Sequence, residues 1–135
     1  MGIGTVADDI SQLPISFQHA RDALRLGKAL DPEESMYFFD SYQLESLFMN
    51  AGIAEKKSQW TDFYKPLTQE AELAHTLRIY IEEGGDLQRI VDRLFIHRNT
   101  LRYRLDKIQE LTGKDPRHVK QLIELYMAQL MNQLS

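Results

Sequence analysis

Along residues 86–108 the apolar positions fall into two short helical periods. Leu87, Ile90, Val91 and Leu94 recur at i, i+3, i+4 and i+7, so they share one face of a helix. Leu101, Leu105 and Ile108 do the same on a second helix. Only Phe95, Ile96 and His97 are left for the turn between them. That layout predicts a helix-turn-helix, a unit whose second helix enters the DNA major groove.

The outward face of the second helix carries the candidate chemistry. At about 3.6 residues per turn, Asn99, Tyr103 and Asp106 lie opposite Leu101 and Leu105. Arg98 and Arg102 fall on one flank, Thr100 and Arg104 on the other. Arginine suits the O6/N7 edge of guanine and asparagine the N6/N7 edge of adenine, while Thr and Tyr hydroxyls suit phosphate. An arginine-rich face alone would equally describe a solvated helix in an ordinary bundle. The tight turn between two matching apolar stripes favours DNA.

Charge sharpens this locally. From His97 to Lys107 four cations (Arg98, Arg102, Arg104, Lys107) face one anion, Asp106. This local +3 leaves −7 for the rest of a chain whose formal net charge is −4. A basic patch on an acidic body confines phosphate contact to one surface. One such patch binds weakly, so a homodimer is expected.

Elsewhere the pattern is mixed in the first part and helical in the second. Residues 1–6 and 36–39 read as short strands. Ser16 reads as an N-cap, with Phe17, Ala20 and Leu24 at helical spacing and Gly27 as the stop. Asp40 with Gln43 resembles a capping box, and Leu44, Leu47 and Phe48 mark a helix ending near Gly52. So few strands leave edges unpaired, which points to the tail of a larger domain or to completion by a partner chain. Residues 54–67 read as a linker in which Trp60, Phe63 and Tyr64 pack onto a core.

In the second part, Thr68 is a candidate cap for a helix burying Leu73, Leu77 and Tyr80 or Ile81, ended by Gly84-Gly85. Gly113 terminates the second helix of the motif. Asp115 and Pro116 are then candidate N-cap and N1 of a last helix carrying Val119, Leu122, Ile123, Tyr126, Leu130 and Leu134. Most of that stripe is expected to close the core, with the end near Leu130 and Met131 as a candidate partner surface. The expected fold class is mainly α: a C-terminal helical helix-turn-helix domain (68–135) behind a small N-terminal α/β remnant (1–53).

The 135-residue chain suffices for one sizeable core or two small ones. It has no cysteine, which excludes disulfides, thiolate metal sites and a Cys nucleophile and fits a reducing, cytoplasmic setting. No apolar run approaches the ~18 residues of a membrane span, and no secretory signal is evident. The four histidines, His19, His75, His97 and His118, lack metal-ligand spacing. No catalytic set or phosphate loop stands out, so no enzyme activity, metal or cofactor is expected. His97, at the start of the second helix, has two readings: a cap or packing residue, or a direct phosphate contact.

The run Leu94-Phe95-Ile96-His97-Arg98-Asn99-Thr100-Leu101-Arg102-Tyr103-Arg104-Leu105 resembles the C-terminal helix-turn-helix of the PucR and CdaR transcription regulators. Thr76-Leu77, the Gly84-Gly85-Asp86 break and Leu111-Thr112-Gly113 extend the likeness over about half the chain. Val91 departs from it, standing where the family usually has alanine. Gly2-Ile3-Gly4, residues 16–24 and Phe39-Asp40-Ser41-Tyr42 are similar to the end of the degenerate GGDEF-like domain that precedes this module. The resemblance implies a C-terminal fragment of a regulator whose effector, a small molecule, is bound by upstream domains. Glu83-Gly84-Gly85-Asp86-Leu87 looks superficially like a diguanylate cyclase motif, but it falls between two predicted helices, where it serves as C-cap and N-cap. The implied function is sequence-specific binding of double-stranded DNA through His97, Arg98, Asn99, Thr100, Arg102, Tyr103, Arg104 and Lys107. The alternative is a protein-interaction module that presents the same face to an acidic partner; a nucleotide-processing enzyme is a distant third.

Overall fold

The computed structural model describes residues 1–5, 13–51 and 61–134. The chain divides into two compact units, Met1–Lys56 with Gln133–Ser135, and Lys57–Asn132. Gly52 and Trp60 lie outside the described residues, as does Val6 of the first expected strand.

In the first unit, β1 (Gly2–Ile3) pairs in parallel with β2 (Tyr37–Phe38), in the register Gly2 to Tyr37 and Ile3 to Phe38. Helix α1 (Leu13–Leu30) packs on both strands, and α2 (Gln43–Asn50) follows a short 3-10 turn over Phe39–Ser41. Two expectations are corrected here. Ser16 lies inside α1, where its hydroxyl donates to the Thr5 carbonyl rather than capping the helix. Gly27 does not stop α1 either. A Cβ there would run into the Tyr37 ring, so the glycine lets helix and strand approach closely, and the helix runs on to the Asp31-Pro32 break. Asp40 and Gln43 do touch, Gln43 Nε2 donating to Asp40 Oδ1 at 3.0 Å, but the N-cap position of α2 belongs to Tyr42. Of the expected apolar stripe of α2 only Phe48 is buried; Leu44 and Leu47 are exposed.

Among the described residues, the elements of the second unit are all helices. Residues 61–67, expected as a linker, are structured: a 3-10 stretch over Asp62–Gln69 puts Tyr64 and Leu67 into the core. Thr68 belongs to that stretch and bonds to the Lys65 carbonyl, so it does not cap α3 (Ala71–Glu82). Helices α4 (Leu87–Leu94), α5 (Arg98–Thr112) and α6 (Val119–Leu134) complete the unit. Leu67, Leu77, Ile90, Leu101, Leu105, Ile108 and Leu125 are fully buried. Burying a side chain of this size contributes roughly 1.5–3 kcal/mol, so the core outweighs any single surface contact.

Helix α6 is shorter and rotated relative to the sequence pattern. Asp115 and Pro116 form a turn before it, with Asp115 Oδ1 accepting from the Arg117 backbone N–H at 3.0 Å. Val119 and Ile123 are 72% and 52% exposed, while Leu125, Ala128 and Gln129 face inward. Gln129 decides the rotation. Its Nε2 donates to the Tyr64 hydroxyl at 3.1 Å and to the Ala74 carbonyl at 3.0 Å, so a buried amide is satisfied only in this orientation. Leu130 and Met131, the candidate partner-facing end, are buried.

Candidate nucleic-acid interface

The corner between α4 and α5 is built from local caps and one unusual turn. Gly84 and Gly85, at φ 60° and 78°, end α3 in a conformation that suits glycine. Asp86 then caps α4, its Oδ1 accepting from the Arg89 N–H at 3.2 Å. The Gly-Gly-Asp run therefore joins two helices, as its sequence setting implied, and is not a hairpin. Phe95 ends α4 in the left-handed region, at φ 56°, and is 94% exposed. Backbone bonds from Phe95 and Ile96 to the Val91 carbonyl close the turn and leave Ile96 packed against the core.

His97 opens α5 as its cap, Nδ1 accepting from the Asn99 N–H at 3.0 Å. A lone pair on Nδ1 requires the neutral ring to carry its proton on Nε2. From there Leu101, Leu105 and Ile108 point inward, while Arg98, Asn99, Thr100, Arg102, Tyr103 and Asp106 are exposed. Tyr103, at 65% exposure, stands in the middle of this face.

Arg104 corrects the expectation that it shares the outward surface. Its side chain is only 16% exposed, with Nη2 2.6 Å from Glu72 and Nη1 donating to Thr76 Oγ1 at 3.1 Å. It clamps α5 to α3. Lys107 is half-buried and pairs with Glu110 at 3.5 Å.

The unit's other arginines follow Arg104. Arg93 is held by Glu82 and Glu83, Arg78 by Glu82, and Arg89 by Asp86. Arg98 and Arg102 differ. Arg102 makes no ion pair among the described residues, and the partner of Arg98 is an uncharged amide, Gln88. Two guanidiniums one helical turn apart thus keep their full charge on the exposed surface.

Sequence reasoning missed Arg117. It sits in the turn before α6 and bonds to Asp106 and Asp115, each at 2.8 Å. Burial pushes the Asp115 carboxyl up, but the side-chain and backbone N–H groups of Arg117 outweigh this and hold it below the ordinary carboxylate range. Arg98, Arg102 and Arg117 rim a shallow groove floored by Leu87, Leu101 and Leu105. The only signal available in the sequence was the Asp-Pro-Arg turn itself. No three metal-ligating side chains converge among the described residues, and no helix there is long and apolar enough to cross a membrane.

Residues 73–131 match the model of the PucR C-terminal helix-turn-helix domain. The chain is 36% identical over 125 residues to an uncharacterised protein of Haemophilus influenzae, covering 89% of this chain and 33% of that one. It is 26% identical over 137 residues to the purine catabolism regulatory protein of Bacillus subtilis, covering 98% of this chain and 26% of the relative. With the carbohydrate diacid regulator of Escherichia coli it shares 30% identity over 121 residues, 84% of this chain and 30% of the relative. The chain thus spans about a third or less of the length of these relatives.

Proposed function

We propose, from the match of residues 73–131 to the PucR C-terminal helix-turn-helix domain, that this chain is a DNA-binding part of a transcription regulator and reads the major groove with α5. One observation carries the reading: Arg98 and Arg102 are exposed on one flank of that helix with no carboxylate paired to them among the described residues, beside an exposed Asn99. Arginine can address guanine with two parallel hydrogen bonds, and asparagine can address adenine in the same way. Thr100, Tyr103 and the Nε2 of His97 are assigned to phosphate, with Lys107 lower on the helix reaching only backbone.

Two copies on a symmetric operator would place two α5 helices about one DNA turn apart, each supplying one patch. The protein acts in the cytoplasm. The N-terminal unit is read as the end of a GGDEF-like domain, and a small-molecule effector as bound by segments outside residues 1–135.

The test is selection of bound sequences from random duplex DNA, followed by titrations on the selected and a scrambled duplex at several salt concentrations. Enrichment of a two-fold-symmetric site, with affinity falling steeply with salt, is expected. Recovery of unenriched sequences, with tight binding to an acidic peptide instead, would overturn the reading.

A further inference from the structure

Arg98 is held by an uncharged group, and that group comes from the other helix of the motif. Its Nη2 donates to Gln88 Oε1 at 3.1 Å, and Gln88 Nε2 donates to Asp92 Oδ1 at 2.9 Å. The amide orientation follows from chemistry. A guanidinium only donates and a carboxylate only accepts, so the Gln88 oxygen must face Arg98 and its nitrogen must face Asp92. Reversing the amide would break both bonds.

We infer that Gln88 is a positioning residue that presets Arg98 for base contact; this rests on α5 being the base-reading helix. Three features argue for it. Gln88 is neutral, so it orients the guanidinium without cancelling its charge, unlike Glu72 with Arg104 or Glu82 with Arg93. It takes a single Nη2 donor, which leaves the remaining N–H groups for a base edge. It sits on α4, so the bond links the two helices of the motif at their outer surface, beyond the shared core. An arginine otherwise loses considerable rotamer freedom on binding, and a prior hydrogen bond reduces that loss. Asp92 in turn keeps the Gln88 amide from rotating.

The experiment measures discrimination at every operator base pair for the full chain, as the affinity ratio of matched to mismatched duplex. Arg98→Ala identifies the base pair Arg98 reads. Gln88→Ala is expected to lower discrimination at that same base pair about two- to ten-fold, the size expected for ordering one rotamer-rich side chain. It should leave the salt slope and the melting temperature unchanged. Gln88→Glu keeps an acceptor for Arg98 but neutralises it and loses the donor to Asp92, so it should not restore discrimination. In the double variant, the loss should not exceed that of Arg98→Ala alone. A loss in Arg98→Ala with none in Gln88→Ala, or fully additive losses, would overturn the positioning role alone. No loss at any base pair in either variant would overturn both it and the assignment of Arg98 to base reading.

Discussion

The first two cations of α5 and its last two stand in different surroundings. Among the described residues Arg98 and Arg102 pair with no carboxylate, whereas Arg104 and Lys107 are each paired with one. The residue types are nearly the same, so the difference lies in the neighbours. Glu72 of α3 and Thr76 beside it reach Arg104, and Glu110 of α5 reaches Lys107. The side chain that holds Arg98 is the uncharged Gln88. A count of positive residues therefore overstates the free charge of this helix, and the useful patch is smaller and lies toward the N-terminal end.

Substitutions can break this comparison. The largest effect is expected on the inner side, common to both pairs of cations: Leu105→Ala should destabilise the chain by roughly 2–5 kcal/mol in chemical denaturation, and an unchanged midpoint would mean that the inward face is misplaced. Around the first pair, Arg102→Ala or Asn99→Ala should remove about 1–3 kcal/mol of discrimination at one base pair and leave the melting temperature alone. Arg104→Ala should do the reverse. Losing its packing and its bond to Thr76 is expected to lower stability by about 1–2 kcal/mol, with the ratio of specific to non-specific affinity intact. If Arg104→Ala relaxes base preference while stability holds, the two pairs of cations do not differ in role.

The smallest effect concerns Arg117, whose pairing with Asp115 parallels that of Arg104. Asp115 has a folded-state pKa below its ordinary value, so its pairing stabilises the chain above that value. The contribution should be lost as pH falls below about 4, through the depressed pKa. Thermal melts between pH 6 and pH 2.5 should show a weaker acid dependence for Asp115→Asn than for the unmodified chain.

What could be read from the sequence was whatever is decided locally. Asp86, Gly84-Gly85 and Gly113 act on backbone groups a few residues away, and these caps and stops of α3, α4 and α5 stand where the pattern puts them. Tertiary contacts overrode local preference elsewhere. Gly27 is a helix breaker by propensity, yet α1 passes through it because the Tyr37 ring needs the space. On α6 two apolar stripes compete, and a polar residue, Gln129, selects between them through Tyr64, far away in sequence. The same applies to the interface. Periodicity puts Arg98, Asn99 and Arg102 outside, and they are exposed. It could not say which flank faces α3, so it left Arg104 on the surface and gave no reason to look at Arg117.

Phe95 has a further consequence, for the order of events in folding. Its left-handed backbone is one that phenylalanine seldom visits, with a local penalty of about 1–2 kcal/mol, and its ring recovers nothing by burial. The corner between α4 and α5 is therefore not a seed from which the motif can grow. Ile90 and Val91 must first meet Leu101 across the core, and that contact then holds the turn in a shape its own residue resists. The angle at which α5 is offered is thus imposed by the interior, and it is expected to be among the last features acquired as the chain folds.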